Sequence, residues 1–299
     1  MKKRTNWAEW NEWLEANYAT IPTREIAEHI GCSMEAVKQQ AFKRKLTKFP
    51  DDISFFENWT HESAYIIGLW AADGYANVRP GKGVAVSISQ SHGGGICERI
   101  QEIVGRGSVY YIPQNKSHRW ILYSRKFYEF LNETFGQDVR ANSRTIQWPH
   151  IPLEFERDFI RGYCDGDGHV GRHSSQSMIR FYCGSEEFRD ALMGKIEGWT
   201  GIEGTVSIAI NTVHLAIYTS IKGMCLAHWL YRPEDLAIPR KVEAAREVID
   251  IGQIKVSKDS ITPKMREMFP DILSKFSRET SDYLIAESEV VEFAESAAQ

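Results

Sequence analysis

The sequence contains no apolar run near the roughly 18 residues that span a bilayer, so no membrane-crossing helix is expected. Its first ten residues, MKKRTNWAEW, are without the apolar stretch of a secretory leader. Cysteine is sparse: Cys32, Cys97, Cys164, Cys183 and Cys225 are scattered and never form C-x-x-C. A disulfide framework and a zinc ribbon are thereby excluded, and a reducing, cytoplasmic setting fits. No G-x-G-x-x-G follows a strand pattern, so His92-Gly-Gly-Gly95 reads as a loop rather than a phosphate cradle. Disorder is excluded as well, because 42% of the 299 residues are hydrophobic.

Acid is missing from particular places. The net charge is −4, which by itself argues against a polyanionic partner. Yet no Asp or Glu lies between Asp73 and Glu98, from Gly105 to Lys126, from Gly168 to Ser185, or from Gly204 to Pro233. All four stretches read as β-hairpins by their alternation. They carry Arg79, Lys82, Lys116, Arg119, Arg172 and Arg180, together with His118, His169, His173 and His214. Strands disfavour acids, which explains part of the depletion. A surface laid against a polyanion explains the accompanying bases too.

Residues 1–50 read as an all-α domain. Trp7, Trp10 and Leu14 mark one face of a first helix. Thr23 is a plausible N-cap of a second helix, Gly31 ends it, and Ser33 caps a third carrying Ala36, Val37 and Ala41. The order is that of a helix-turn-helix. From Ala36 to Pro50 there are five basic residues and no acid, and Lys38 and Arg44 are the expected DNA contacts. A linker is expected over 51–62, and a helical acidic tail over 251–299.

Residues 63–250 hold an internal repeat, with copies near 63–150 and 151–250. The first begins Ala64-Tyr-Ile-Ile-Gly-Leu-Trp-Ala-Ala-Asp-Gly-Tyr75, the second Phe159-Ile-Arg-Gly-Tyr-Cys-Asp-Gly-Asp-Gly-His169. Gly68 matches Gly162, Asp73 matches Asp167 and Gly74 matches Gly168, always 94 residues apart. Each motif leads into a hairpin, a helix near Ile96–Val104 or Glu186–Trp199, a second hairpin (Ser108–Tyr123 or Thr205–Thr219) and a closing helix. The fold class is therefore α+β: two pseudo-symmetric αββαββα repeats forming a DNA-binding saddle, preceded by the small helix-turn-helix domain.

Each motif reads as an apolar helix ending in Asp-Gly. Gly74 and Gly168 are expected in the left-handed conformation of helix C-termini. An Asp at that end is electrostatically misplaced, since the helix dipole is already negative there. Two such acids point to a bound hard cation such as Mg²⁺. Small residues at Gly68 and Ala72, and at Gly162 and Gly166, let the two helices approach closely and bring Asp73 beside Asp167. Two acids beside a basic surface make a metal-dependent phosphodiesterase site.

Both motifs and the hairpin order resemble those of the LAGLIDADG homing endonucleases in their single-chain, two-repeat form. So do Trp148-Pro-His-Ile-Pro152, ahead of the second motif, and Leu236-Ala-Ile-Pro-Arg-Lys241. The resemblance implies a sequence-specific, Mg²⁺-dependent (or Mn²⁺-dependent) endonuclease that cuts both strands of duplex DNA as a monomer. It implies Asp73 and Asp167 as catalytic metal ligands, with the Ala72 and Gly166 carbonyls as further ligands. Lys241 and Arg144 would lie near the scissile phosphates, and Gln90 would organise water, with Cys183 as its counterpart. Alternation assigns DNA contacts to Asn77, Arg79, Lys82, Ser87, Arg119, Arg172, Arg180, Ser207 and His214. Ala71 departs from the family pattern, which has an acid there, while the second motif keeps Asp165. An inactive transcription regulator and an RNA-binding intron maturase are the alternatives on this scaffold. The setting implied is the cytoplasm of a bacterial or phage-infected host cell.

Overall fold

The computed structural model describes residues 5–19, 21, 23–46, 51–79, 83–92, 95–140, 143–173, 176–209, 213–250, 253–255, 261–274, 278–280 and 283–285. The chain divides between Ser54 and Phe55 into two units.

The first unit holds α1 (Trp7–Asn17), α2 (Thr23–Ile30) and α3 (Met34–Lys43). Leu14, Ile26, Ala27, Val37 and Ala41 form its core, with Trp7, Trp10 and Trp13 packed around it. Gly31 takes φ +73°, the left-handed turn expected after α2. Ser33 Oγ accepts from the Ala36 amide and caps α3. Thr23 is the first residue of α2 rather than its cap, and position 22 lies outside the described residues.

The boundary falls at the first residue of α4 (Ser54–Glu57), and α5 (His61–Asp73) follows in the second unit. A linker over 51–62 is therefore a correction: Phe56 is buried and stacks on Phe127 with ring centroids 4.1 Å apart. Thr60 and Ser63 exchange side-chain-to-backbone hydrogen bonds at the start of α5, a capping box. There follow β1 (Gly74–Arg79), β2 (Gly83–Gln90), α6 (Ile96–Val104), β3 (Ser108–Ile112), β4 (Ser117–Tyr123) and α7 (Arg125–Phe135). The second copy runs α8 (Glu156–Asp167), β5 (Gly168–His173), β6 (Gln176–Cys183), α9 (Glu186–Thr200), β7 (Thr205–Ala209), β8 (Val213–Thr219) and α10 (Ser220–Leu230). Then comes α11 (Pro239–Ile249).

Both copies make an antiparallel four-stranded sheet with the same strand order, β1-β2-β4-β3 and β5-β6-β8-β7. One face of the first sheet sends Ala76, Val84, Val86, Ile88, Trp120 and Leu122 into the core. The other face presents Tyr75, Asn77, Arg119 and Tyr123. α5 is apolar on every side because it is the buried centre of the unit.

Beyond α11 the chain forms β9 (Gln253–Lys255), α12 (Pro263–Met268), α13 (Pro270–Ser274), β10 (Arg278–Thr280) and β11 (Tyr283–Ile285). The three strands pair in the order β10-β11-β9. Two helices lie in the tail as its sequence predicts, and three short strands accompany them. The helices, of six and five residues, begin at Pro263 and Pro270, and short β-favouring segments such as Tyr283-Leu-Ile285 pair beyond them. The acidic end at 286–299 lies outside the described residues.

Candidate active site

The site is built where α5 and α8 touch. A Cβ on Gly68 would fall 2.1 Å from the Phe159 carbonyl oxygen, and one on Gly162 would fall 2.0 Å from that of Tyr65. Only glycine lets the two backbones come this close. The approach continues to the helix ends, where a Cβ on Gly166 would meet the Ala72 Cβ at 2.4 Å and Asp73 Oδ2 at 2.7 Å. The carboxylate of one motif thus lies against the backbone of the other.

Gly74 and Gly168 do not take the expected left-handed conformation. Their φ values are −82° and −110°, extended, so each helix runs straight into a strand. Glycine is needed there for space. A Cβ would lie 2.1 Å from the Trp70 carbonyl oxygen at Gly74, and 2.3 Å from that of Cys164 at Gly168.

The two acids differ in their surroundings. Gln90 Nε2 donates to Asp73 Oδ2 at 2.5 Å. Burial raises the Asp73 pKa, opposed by that hydrogen bond and by the charges of Lys241 and Arg240. Asp167 meets no side-chain donor among the described residues. Burial, then the Asp73 carboxylate, pushes its pKa up to about 7 against the pull of Lys241. Cys183, the counterpart of Gln90, is a buried thiol pushed up to about 12 by desolvation and offers no amide to Asp167. Two half-buried carboxylates that resist ionisation side by side are a donor set that a hard cation would relieve. Among the described residues no group of three His, Cys, Asp or Glu is placed to hold an ion. Further ligands would therefore have to be carbonyls, water or phosphate.

Lys241 Nζ donates to the carbonyls of Cys164, at 3.1 Å, and Gly168. Its side chain is buried, and desolvation lowers its pKa. It therefore clamps the last turn of α8 while facing both acids. Arg144 stands elsewhere: it is exposed on a 3₁₀ turn, Ser143–Thr145, and lines a hollow with Ser185 and His214.

Asp165 is fully buried and saturated with donors. Tyr65 Oη donates at 2.7 Å, Tyr231 Oη at 2.8 Å and the Ile238 amide at 2.6 Å. It ties α8 to α5 through Tyr65 and to the segment leading to Lys241 through Tyr231 and Ile238. The departure at Ala71 now has a physical account. Tyr65, which supplies a hydroxyl to Asp165, has Phe159 as its counterpart in the repeat, and Phe159 offers none to position 71. The acid and the hydroxyl across from it are missing together. That pairing was visible in the sequence as two coupled mismatches between the copies, and sequence reasoning missed it. It also missed the cluster of Asp158, Arg161, Arg157 and Asp235. There Arg161 Nη1 meets Asp158 at 2.6 Å and Asp235 at 3.1 Å, and Arg161 Nε donates to the Leu236 carbonyl.

The expected DNA contacts distribute unevenly. Asn77, Ser87 and Arg119 line one hollow on the outward face of the first sheet, though Ser87 is buried among its neighbours. Arg119 Nε donates to Ser89 Oγ. Arg79 lies on the same face by register, but its side chain is outside the described residues, as is Lys82 altogether. Arg180 and Ser207 share the outward face of the second sheet. Arg172 and His214 do not. Arg172 has the parity of Val170 and His214 that of Ala216, both on the core side, so their assignment to the outward face is corrected. In the first unit Lys38 is exposed on α3, whereas Arg44 Nε donates to Glu15 Oε1 at 2.5 Å.

A family model described as "LAGLIDADG-like domain" matches residues 60–134 and 154–219. No curated protein sequence matches the chain. Similar solved structures include the homing endonuclease I-WcaI bound to its DNA recognition sequence, at 13% identity over 64% of this chain and 90% of that one, TM-score 0.45. Another is I-DmoI in complex with DNA and Ca, at 14% identity over 62% and 97%, TM-score 0.46. A third is the N-terminal LAGLIDADG domain of DUF199/WhiA, at 11% identity over 60% and 87%, TM-score 0.41.

Proposed function

We propose that this chain, matched by a LAGLIDADG-like domain model over residues 60–134 and 154–219, is a metal-dependent, sequence-specific DNA endonuclease acting as a monomer on both strands of a duplex. One observation carries the reading: both motif acids are kept and converge where α5 and α8 interlock, with Asp73 Oδ2 against Gly166. A chain that only bound DNA would gain nothing from two half-buried carboxylates facing phosphates. Asp73 and Asp167, with the Ala72 and Gly166 carbonyls, would hold Mg²⁺, or Mn²⁺ in its place. When bound, the ion neutralises phosphate charge and makes water acidic enough to attack at neutral pH.

The chain's own residues do the rest. Gln90, donating to Asp73 Oδ2, fixes the carboxylate's orientation and leaves its second N–H for water. Lys241 spends two of its three N–H groups on the carbonyls of Cys164 in α8 and Gly168 at the start of β5, and has one for a phosphate oxygen. The outward sheet faces, carrying Asn77, Arg119, Arg180 and Ser207, lie along the major groove. The first unit adds contacts through α3, where Lys38 is exposed beside a fully projecting Phe42.

The test is digestion of a plasmid library of randomised targets by the full chain with Mg²⁺, with Ca²⁺ and with EDTA. Breaks at one recurrent sequence that need Mg²⁺ support the reading. Selective binding with no cleavage in any metal replaces it with a DNA-binding regulator.

A further inference from the structure

Two histidines outside the site above occupy equivalent places in the two repeats. His118 lies opposite Gln90 in the β2–β4 ladder, and His214 lies opposite Cys183 in the β6–β8 ladder. Each is gripped at Nδ1 from the helix after the first hairpin of its repeat, by groups of opposite character. Glu98 of α6 holds His118 Nδ1, while Arg189 Nη1 of α9 meets His214 Nδ1 at 3.1 Å.

The partners dictate the tautomers. A guanidinium has only N–H groups to offer, so His214 Nδ1 must accept, and the ring hydrogen sits on Nε2. A carboxylate only accepts, so His118 Nδ1 carries the hydrogen, and Nε2 of the neutral ring is a bare lone pair. Arg189 is itself locked by Glu186 and Asp190, at 3.0 and 2.7 Å, and is buried. His214 thus has no route to the other tautomer without breaking that contact.

His118 lines a hollow of about 220 Å³, and Gln90, whose amide donates to Asp73, lines the same hollow. The groups facing the ring there are Glu98 of α6, His92 after β2, Lys116 before β4 and the Tyr111 ring of β3, edge-on at 5.3 Å. The Cys97 thiol donates to the His118 carbonyl. This is the carboxylate–imidazole arrangement of a general base, next to the residue that orients one motif acid.

We propose that His118 is the proton acceptor for the water that attacks the phosphodiester on the Asp73 side, and that His214 is barred from this role on the Asp167 side. The proposal rests on the endonuclease reading. In the step, a water O–H bond breaks and its proton passes to His118 Nε2. The water oxygen bonds to phosphorus. The bond from phosphorus to its bridging oxygen breaks, and that oxygen leaves with a proton from solvent. His214, with its hydrogen on Nε2 and its Nδ1 held by Arg189, has no free lone pair to take up the water's proton. The two strands are therefore cut by unlike proton chemistry.

Two measurements on the full chain test this. Long-range ¹H–¹⁵N spectra at pH 8, without DNA or metal, are expected to show His118 as the Nδ1–H tautomer and His214 as Nε2–H. The same tautomer at both overturns the proposal. Cleavage of a duplex labelled on each strand is then followed for His118→Asn, whose side chain cannot take up a proton. One strand is expected to slow about 100-fold, the low end for a lost general base, and the other to stay within about threefold, with Ca²⁺-supported binding unchanged. Equal slowing of both strands, or of neither, overturns the proposal alone. A wild-type chain that cuts no duplex in any metal overturns the endonuclease reading and the proposal with it.

Discussion

Replacing Asp167 by Asn removes one charge and almost no volume, and the structure gives the sign and size of the result. Burial and the Asp73 carboxylate hold the Asp167 pKa at about 7, against 3.8 for a free carboxyl. An acid whose pKa is raised on folding stabilises the native state only while protonated. Stability therefore falls as pH rises from about 4 through 7, then levels off. At about 1.4 kcal/mol per pH unit the ceiling is about 4 kcal/mol. The side chain keeps some solvent, so about 2 kcal/mol is expected. In EDTA at pH 8, Asp167→Asn should raise the urea unfolding midpoint by that equivalent, and near pH 4 the two proteins should coincide. Saturating Mg²⁺ should stabilise the wild type by mass action and leave the variant unmoved. A variant no more stable at pH 8, or a difference independent of pH, would refute the claim that this carboxylate is held at a cost for a cation.

Gly68→Ala or Gly162→Ala forces a Cβ to within about 2 Å of a carbonyl on the facing helix and should cost about 3 kcal/mol or abolish folding, read by denaturant unfolding. Tyr65→Phe strips one of three donors from Asp165 and should cost about 1–3 kcal/mol by the same assay. Ala71→Asp introduces an acid without its partner hydroxyl and should destabilise by a similar amount. Adding Phe159→Tyr should recover part of that loss, and a double-mutant cycle with no coupling would contradict the pairing.

Much of the second unit could be read because the sequence states it twice. The bounds of Ser108–Tyr123 and Arg125–Phe135 follow from local alternation and helical spacing, and the repeat fixes which residues correspond. The encounter of Asp73 with Gly166 follows from small residues one turn apart on two helices. What escaped reading depends on distance in space. Gly74 and Gly168 look like left-handed caps, yet they are glycine because Trp70 and Cys164 leave no room. Alternation along the sequence sets Arg172 and His214 among the DNA contacts, but one residue of register decides the face and puts both on the core side. His118 and Glu98 are 20 residues apart and His214 and Arg189 are 25, so no local pattern announces either grip. Phe56 reads as linker until Phe127 is found beneath it.

The central claim is that Asp73 and Asp167 form one cation-dependent cutting centre. Its most direct test takes the duplex recovered from the randomised library and labels both strands. It compares the wild type with Asp73→Asn and Asp167→Asn in Mg²⁺, and measures binding in Ca²⁺. The account predicts that each variant still binds the duplex and that neither makes a double-strand break. Full double-strand cleavage by either variant would contradict it.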